Sequence, residues 1–230
     1  MNQTSGVKGG LYAVSEWIMR FSLVNLQWTL YNLPTALILI SMLNSQSVDE
    51  VLILLVPLIL FVPLTFFPAT TAMFAKAREW VRPDQGENPD QSYFHYYKQN
   101  YKTSSKSGFL FTILWIILAA DIYYFSNHNV WMTNLFLIMG IILFVFNLTY
   151  FCVTVHYELR IKDTLKQSLL LTLTSPVMFL AMFISTGIIL YLSLAIFPLL
   201  IPIFSGTIIA FLSFSAFYRL VLKLNQNQNH

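Results

Sequence analysis

The stretch FFPATTAMFAKAREW, Phe66 to Trp80, begins as apolar as a membrane span and ends as a charged helix. Just upstream, Pro57 and Pro63 interrupt an aliphatic run, and Pro68 interrupts the stretch itself. Each proline removes a backbone donor and tends to kink a helix. In lipid, the acceptors so released need partners from neighbouring helices or from hydroxyls, and Thr65, Thr70 and Thr71 stand close by in sequence. Ala69 and Ala72 allow another helix to approach closely. Lys76, Arg78, Trp80 and Arg82 then mark a membrane–water interface, with Trp80 at headgroup level. The segment reads as the end of a proline-broken transmembrane helix leaving the bilayer on the cytoplasmic side.

Composition supports that reading. Of 230 residues, 57% are hydrophobic and only 10% are charged, against about 25% charged in soluble domains. Mean hydropathy is +0.64. A nucleic-acid footprint needs a clustered basic face on a soluble domain, and the sequence shows none. The single cysteine, Cys152, lies in an apolar run and excludes both an intramolecular disulfide and a cysteine-rich metal site. The N-terminal region lacks a clean small-x-small cleavage site, so an uncleaved first span is expected rather than a secretory signal.

Six apolar segments follow, over 22–43, 51–75, 108–126, 131–155, 169–191 and 197–217. Each is near the ~20 residues that cross a hydrocarbon core of ~30 Å. As one helix, 169–217 would run to roughly 73 Å at 1.5 Å per residue, so Pro198 and Pro202 are expected to break it near Ser193–Pro198. With the N-terminus inside and six crossings, all thirteen lysines and arginines fall in the N-terminal segment, the 76–107 and 156–168 loops and the tail. The three outer loops hold none, as the positive-inside rule requires. The expected fold is therefore all-α and polytopic. It has six transmembrane helices in a single membrane domain over 1–230, with both termini cytoplasmic. Continuous apolar runs favour helices over a barrel, whose strands would alternate over about ten residues.

In the largest inner loop, RPDQGENPD (82–90) is polar and turn-rich. YFHYYKQNYK (93–102) places Tyr93, Tyr97 and Tyr101 on one helical face and Lys98, Lys102 and Lys106 on another. This reads as a short amphipathic helix on the inner leaflet, leading into the third span at Gly108, with lysines that favour anionic lipid. The tail NQNQNH is expected to fray.

Four stretches together are similar to the YesL family of bacterial integral membrane proteins, a domain of unknown function: LVNLQWTLYNLPTA (23–36), FFPATTAMFAKAREWVR (66–82), YFHYYKQNYKTSSKSGFL (93–110) and YELRIKDTLKQSLLLTL (157–173). The resemblance spans nearly the whole chain. Its motif positions here are Asn25, Trp28, Pro34, Pro68, Ala69, Thr70 and Trp80, with Gln27 a small departure where an apolar residue is expected. The resemblance implies a multi-pass protein of a bacterial plasma membrane. It also implies a possible accessory role beside carbohydrate uptake systems of the ATP-driven binding-cassette type, whose genes often neighbour the family's. It carries over no catalytic residues.

Polar residues inside spans are functional hypotheses by default. Asn25, Thr29 and Asn32 form a stripe on the first span, read either as interhelical hydrogen bonding or as the lining of a substrate path. Asn147 and Thr154 share a face of the fourth span and admit the same two readings. Asp121 is the one acid clearly within a span. It is either a proton-coupling carboxylate or a group reaching the outer headgroups. His95, His128, His156 and His230 are scattered, and HYE at 156–158 lacks the spacing of a zinc helix. Glu158 with Lys162, and Glu16 with Arg20, are placed for i,i+4 pairs. Cys152 reads as a packing residue. There is no phosphate-binding glycine loop, GxSxG elbow or CxxC, so neither a cofactor nor enzymatic chemistry is expected. The expected function is a non-enzymatic component, with the accessory role beside a carbohydrate permease that the resemblance implies. The alternative is a small transporter or channel in its own right. The expected partners are the lipid bilayer and, on the first reading, permease subunits.

The topology makes a direct prediction. A reporter fused after Asn127–Asn129 behaves as extracytoplasmic, and a cytoplasmic signal at that point refutes the proposed orientation.

Overall fold

The computed structural model describes residues 7–82 and 91–228. Among them the chain is helical throughout, with no strand. The helices are α1 (Val7–Tyr31), α2 (Leu33–Leu43), α3 (Val48–Phe61), α4 (Phe67–Val81), α5 (Tyr93–Ser126), α6 (Val130–His156), α7 (Ile161–Thr174), α8 (Pro176–Tyr191) and α9 (Gly206–Gln228). Three π turns complete the described elements. Val62–Phe66 joins α3 to α4, Leu192–Ile196 extends α8, and Ile201–Ser205 leads into α9. Five segments are long and apolar enough to cross a membrane: Val48–Val81, Tyr93–Ser126, Val130–His156, Pro176–Ile196 and Ile201–Gln226. Helices α1 and α2, counted together, make a sixth. The protein is an all-α polytopic membrane protein.

Local chemistry explains where the elements start. Ser47 caps α3 by accepting from the Glu50 amide at 3.3 Å, while the Glu50 carboxylate accepts from the Gln46 amide at 3.1 Å. Asp49 and Glu50 in the first turn also suit the positive end of the helix dipole. Ser92 caps α5 and Asn129 caps α6 in the same way. Prolines occupy the first turns of α2, α4 and α8, where a missing donor costs nothing.

Helix α4 is the hub. Every residue from Phe67 to Ala77 is buried. It is wrapped by α5, α9, α6 and α1. By contrast, α3, which leads directly into it, buries no residue and presents aliphatic side chains outward, as a lipid-facing helix does. Packing around α4 is largely aromatic. Phe67 stacks on Phe111, and Phe74 on Phe151. Trp17, Phe21, Trp80 and Phe211 form one ring cluster at the charged end. Close approach is set by Gly108 on α5. A Cβ there would lie 2.9 Å from both the Pro63 Cα and the Phe67 Cγ, so only glycine lets α5 cross the α3–α4 junction.

Three expectations change. The segment 22–43 is not one helix: α1 and α2 meet at 69° around Asn32, where Pro34 cannot supply an N–H to continue the ladder. The helix expected on the inner leaflet before the third span exists, but not as a separate element. Residues 93–107 are the first part of the continuous helix α5. The physical reason is that its tyrosine face is already occupied. Tyr97 stacks on Tyr31 at 4.4 Å between centroids, and Tyr93 lies 5.9 Å from the same ring. The fifth apolar segment, 169–191, breaks early: α7 ends at Thr174 and α8 begins at Pro176. The break between the last two spans falls at 197–199, around Pro198, while Ser193 stays helical in the π turn that extends α8. Glu16 and Arg20 pair at 2.5 Å, whereas no Glu158–Lys162 pair forms among the described residues. The turn-rich stretch 82–90 lies outside the described residues apart from Arg82. Helix α9 continues into the tail as far as Gln228, and residues 229–230 lie outside the described residues.

Gly108→Ala is expected to destabilise the protein by about 1–3 kcal/mol, the usual cost of overpacking. In detergent this lowers the thermal midpoint by several degrees. Gly187→Ala, where the added Cβ meets nothing within 4 Å, leaves the midpoint unchanged or raises it.

Candidate functional site

The polar stripe on α1 is drawn into the core. Asn25 is fully buried and bridges the entry to α9. Its amide nitrogen donates to the Ile201 carbonyl at 2.8 Å, and its amide oxygen accepts from the Thr207 backbone N–H at 2.9 Å. Thr29 donates to the Pro202 carbonyl at 3.1 Å. Trp28 donates from its indole to the Thr70 hydroxyl at 3.0 Å, tying α1 to α4. The bridge needs a small residue opposite Asn25, and Gly206 supplies it: a Cβ there would meet the Asn25 Oδ1 at 3.0 Å.

Beyond the α1–α2 break, Thr35 and Thr65 share a hydrogen bond of 2.9 Å, and Thr65 donates to the Phe61 carbonyl at 2.8 Å. On the other side of α4, Tyr93 donates to the Ala69 carbonyl at 2.7 Å, and Ser104 donates to Thr71 at 2.8 Å. The hydroxyls of the opening stretch therefore bond backbone carbonyls and adjacent helices.

The C-terminal half of α4 carries a second cluster, which is charged. Lys76 is buried. It pairs with Glu79 at 2.6 Å and donates to the Gln91 carbonyl at 2.9 Å. Glu79 also accepts from the Tyr96 hydroxyl. Arg78 donates to the Val155 carbonyl in the last turn of α6, where a cation suits the negative end of the helix dipole. Arg82 reaches the His156 Nδ1 at 3.1 Å and stands 5.2 Å over the Tyr218 ring. Helices α4, α5, α6 and α9 are joined here by charge-assisted contacts, which are stronger than neutral ones.

The nine residues singled out from sequence are thus divided. Asn25, Trp28, Thr70 and Ala69 meet in the seam between α1, α4, α5 and α9, and Pro68 is buried beside them. Asn32 lies at the α1–α2 break, its amide nitrogen donating to the Trp28 carbonyl at 2.8 Å. Pro34 is exposed in the first turn of α2. Trp80 belongs to the ring cluster with Phe21. Asp121 is half-exposed near the end of α5, apart from both clusters, and forms no hydrogen bond or ion pair among the described residues. Asn147 and Thr154 do not combine either: Thr154 bonds its own helix at Tyr150.

Sequence reading missed the charged cluster. The Lys76–Glu79 spacing of three was a usable signal, whereas Arg82 meeting His156 across 74 positions had none. Among the described residues, no three of His, Cys, Asp and Glu gather as metal ligands. Cys152 is buried in the core. Two surface depressions, one along Ser92–Gln99 and one between α2 and α3 near Asn44 and Glu50, touch neither cluster.

Comparison with known proteins matches residues 21–122 to the family described as "Protein of unknown function, DUF624". The chain is similar to three uncharacterised proteins of Bacillus subtilis (strain 168). It is 28% identical to YesV over 64% of this chain and 74% of that one. It is 26% identical to YteU over 96% and 90%, and 24% identical to YesL over 92% and 91%. No solved structure matches the chain.

Asn25→Leu leaves the Thr207 N–H and the Ile201 carbonyl without their side-chain partner in a buried seam. It is expected to cost about 1–3 kcal/mol, read as a lowered unfolding midpoint. A midpoint equal to that of the parent protein refutes the bridging role.

Proposed function

We propose that this chain, which belongs to a YesL-like family of membrane proteins of unknown function, works as a non-enzymatic component that assists or regulates a carbohydrate permease of the binding-cassette type. The proposal includes a single membrane domain over 1–230 in a bacterial plasma membrane, with both termini cytoplasmic. One observation carries the non-transporting part of this reading. Asn25 and Thr29, the side chains that would line a path along α1, bond Ile201, Thr207 and Pro202 of the same chain. Groups committed to holding helices together do not line a route for substrate. The permease link rests on the resemblance that the sequence carries, and the exposed Lys98, Lys102 and Lys106 on α5 give such a partner a charged surface to meet.

A second reading, a small transporter in its own right, is favoured by the α1–α2 break at Asn32. Discontinuous helices mark binding sites in many transporters.

Two experiments separate the readings. Purification in mild detergent brings down a permease subunit, and deletion impairs growth on one particular sugar. No partner together with no carbon-source phenotype overturns the accessory role. For the transporter reading, reconstituted flux is abolished by Asp121→Asn or Asn32→Leu. Flux unaltered in both variants, or no flux at all, rejects it.

A further inference from the structure

The α1–α2 break carries an acceptor that the fold does not use. Asn32 is 5% exposed, and its Oδ1 is buried with no hydrogen-bond donor. The amide cannot simply turn over to cure this, because its nitrogen is committed to the Trp28 carbonyl at 2.8 Å. Three donors nearby are likewise committed. The Asn32 N–H is shared between the Trp28 and Thr29 carbonyls at 3.1 Å each. The Trp28 indole goes to Thr70, and Thr65 gives its proton to Phe61. Thr35 must then be the donor in its bond to Thr65, which leaves its own oxygen, 4% exposed, with a free lone pair. A further acceptor follows from the sequence. The residue four beyond Leu30 is Pro34, which has no N–H to offer the Leu30 carbonyl. The end of α1 carries the negative pole of its helix dipole, and the start of α2 sets a positive pole at the same break. Between Leu30 and Thr35, then, oxygen acceptors gather at the break, and the Asn32 Oδ1 receives none of these donors.

The chemistry of this set selects its ligand. All the oxygens are uncharged. No Asp or Glu occurs between Glu16 and Asp49, and Glu16 is paired with Arg20. Hard cations take oxygen ligands, and divalent ones are commonly held by carboxylates among them. Unwound carbonyls and the C-terminal ends of half-helices bind sodium in membrane proteins with broken helices. We propose that the α1–α2 break, through the Asn32 Oδ1 with the Leu30 carbonyl and the Thr35 hydroxyl oxygen, binds a monovalent cation of sodium type. The site serves either functional reading. A bound ion fixes the angle between α1 and α2, and with it the way α2 and α3 meet the rest of the bundle.

The test uses the purified full chain in detergent, unfolded by heat in sodium, potassium or choline chloride at equal ionic strength. Sodium raises the midpoint saturably by about 3 °C or more, in line with a ligand that binds only the folded state, and choline does not. Asn32→Ala and Asn32→Leu remove the sodium-dependent rise while Gly187→Ala keeps it. Equal midpoints in all three salts overturn the proposal and leave Oδ1 to a neutral donor such as water. A sodium effect that persists undiminished in both Asn32 variants overturns it as well, by placing the ion elsewhere. Should the Asn32 variants fail to fold, the salt series on the parent protein decides alone: sodium selectivity supports the site and its absence rejects it.

Discussion

A backbone polar group removed from water must find a partner inside the protein, and in lipid there is no alternative source. The architecture depends on that constraint, because this chain breaks its helix ladders repeatedly. Prolines 57, 63 and 68 stand along one continuous segment, Pro34 follows the α1–α2 break, and Pro198 and Pro202 lie between α8 and α9. Side chains from other helices restore the balance. Asn25 and Thr29 serve the start of α9, while within the α3–α4 segment Thr65 bonds the Phe61 carbonyl and is itself met by Thr35 of α2. Tyr93 adds a second bond at Ala69. Each such bond contributes only about 1 kcal/mol, but leaving the group unpaired costs more. Helix irregularity thus becomes a device for fixing which helices meet.

The burial pattern follows from the same source. Helix α4 is short, rich in alanine and threonine, and therefore thin enough to be surrounded on all sides. Its small side chains admit α1, α5, α6 and α9 close to its backbone, and their large aromatic rings fill the space. Among the described glycines, Gly108 and Gly206 are where an added Cβ would meet the closest neighbours. At the C-terminal end of α4 the packing changes from rings to ions, with Lys76, Arg78 and Arg82 holding Tyr96, Val155 and His156 through direct or shared partners.

Class and approximate number of spans were legible from sequence, since apolar length and proline position are one-dimensional signals. The opening stretch also announced its role: Ala69, Thr70 and Thr71 do pack against and bond to other helices. What sequence obscured was geometry between distant parts. An amphipathic face is ambiguous about its cover. Tyr93 and Tyr97 could have met headgroups, but they meet Tyr31. The stripe Asn25–Thr29–Asn32 is equally periodic whether it faces a path or a neighbour. Only the arrival of Ile201 and Thr207 from 176 and 182 positions away distinguishes the two. Asp121 remained conspicuous in sequence because it is a lone acid in an apolar run, yet no partner converges on it among the described residues.

The central claim is that Phe67–Ala77 is the enclosed axis of the bundle and α3 its lipid-facing continuation. Hydrogen exchange on the full chain in detergent reads this directly, since protection follows the stability of the local packing. The account predicts that amides of 67–77 are among the slowest in the protein and exchange well behind those of 48–61. Equal rates in the two segments, or faster exchange in 67–77, would contradict it.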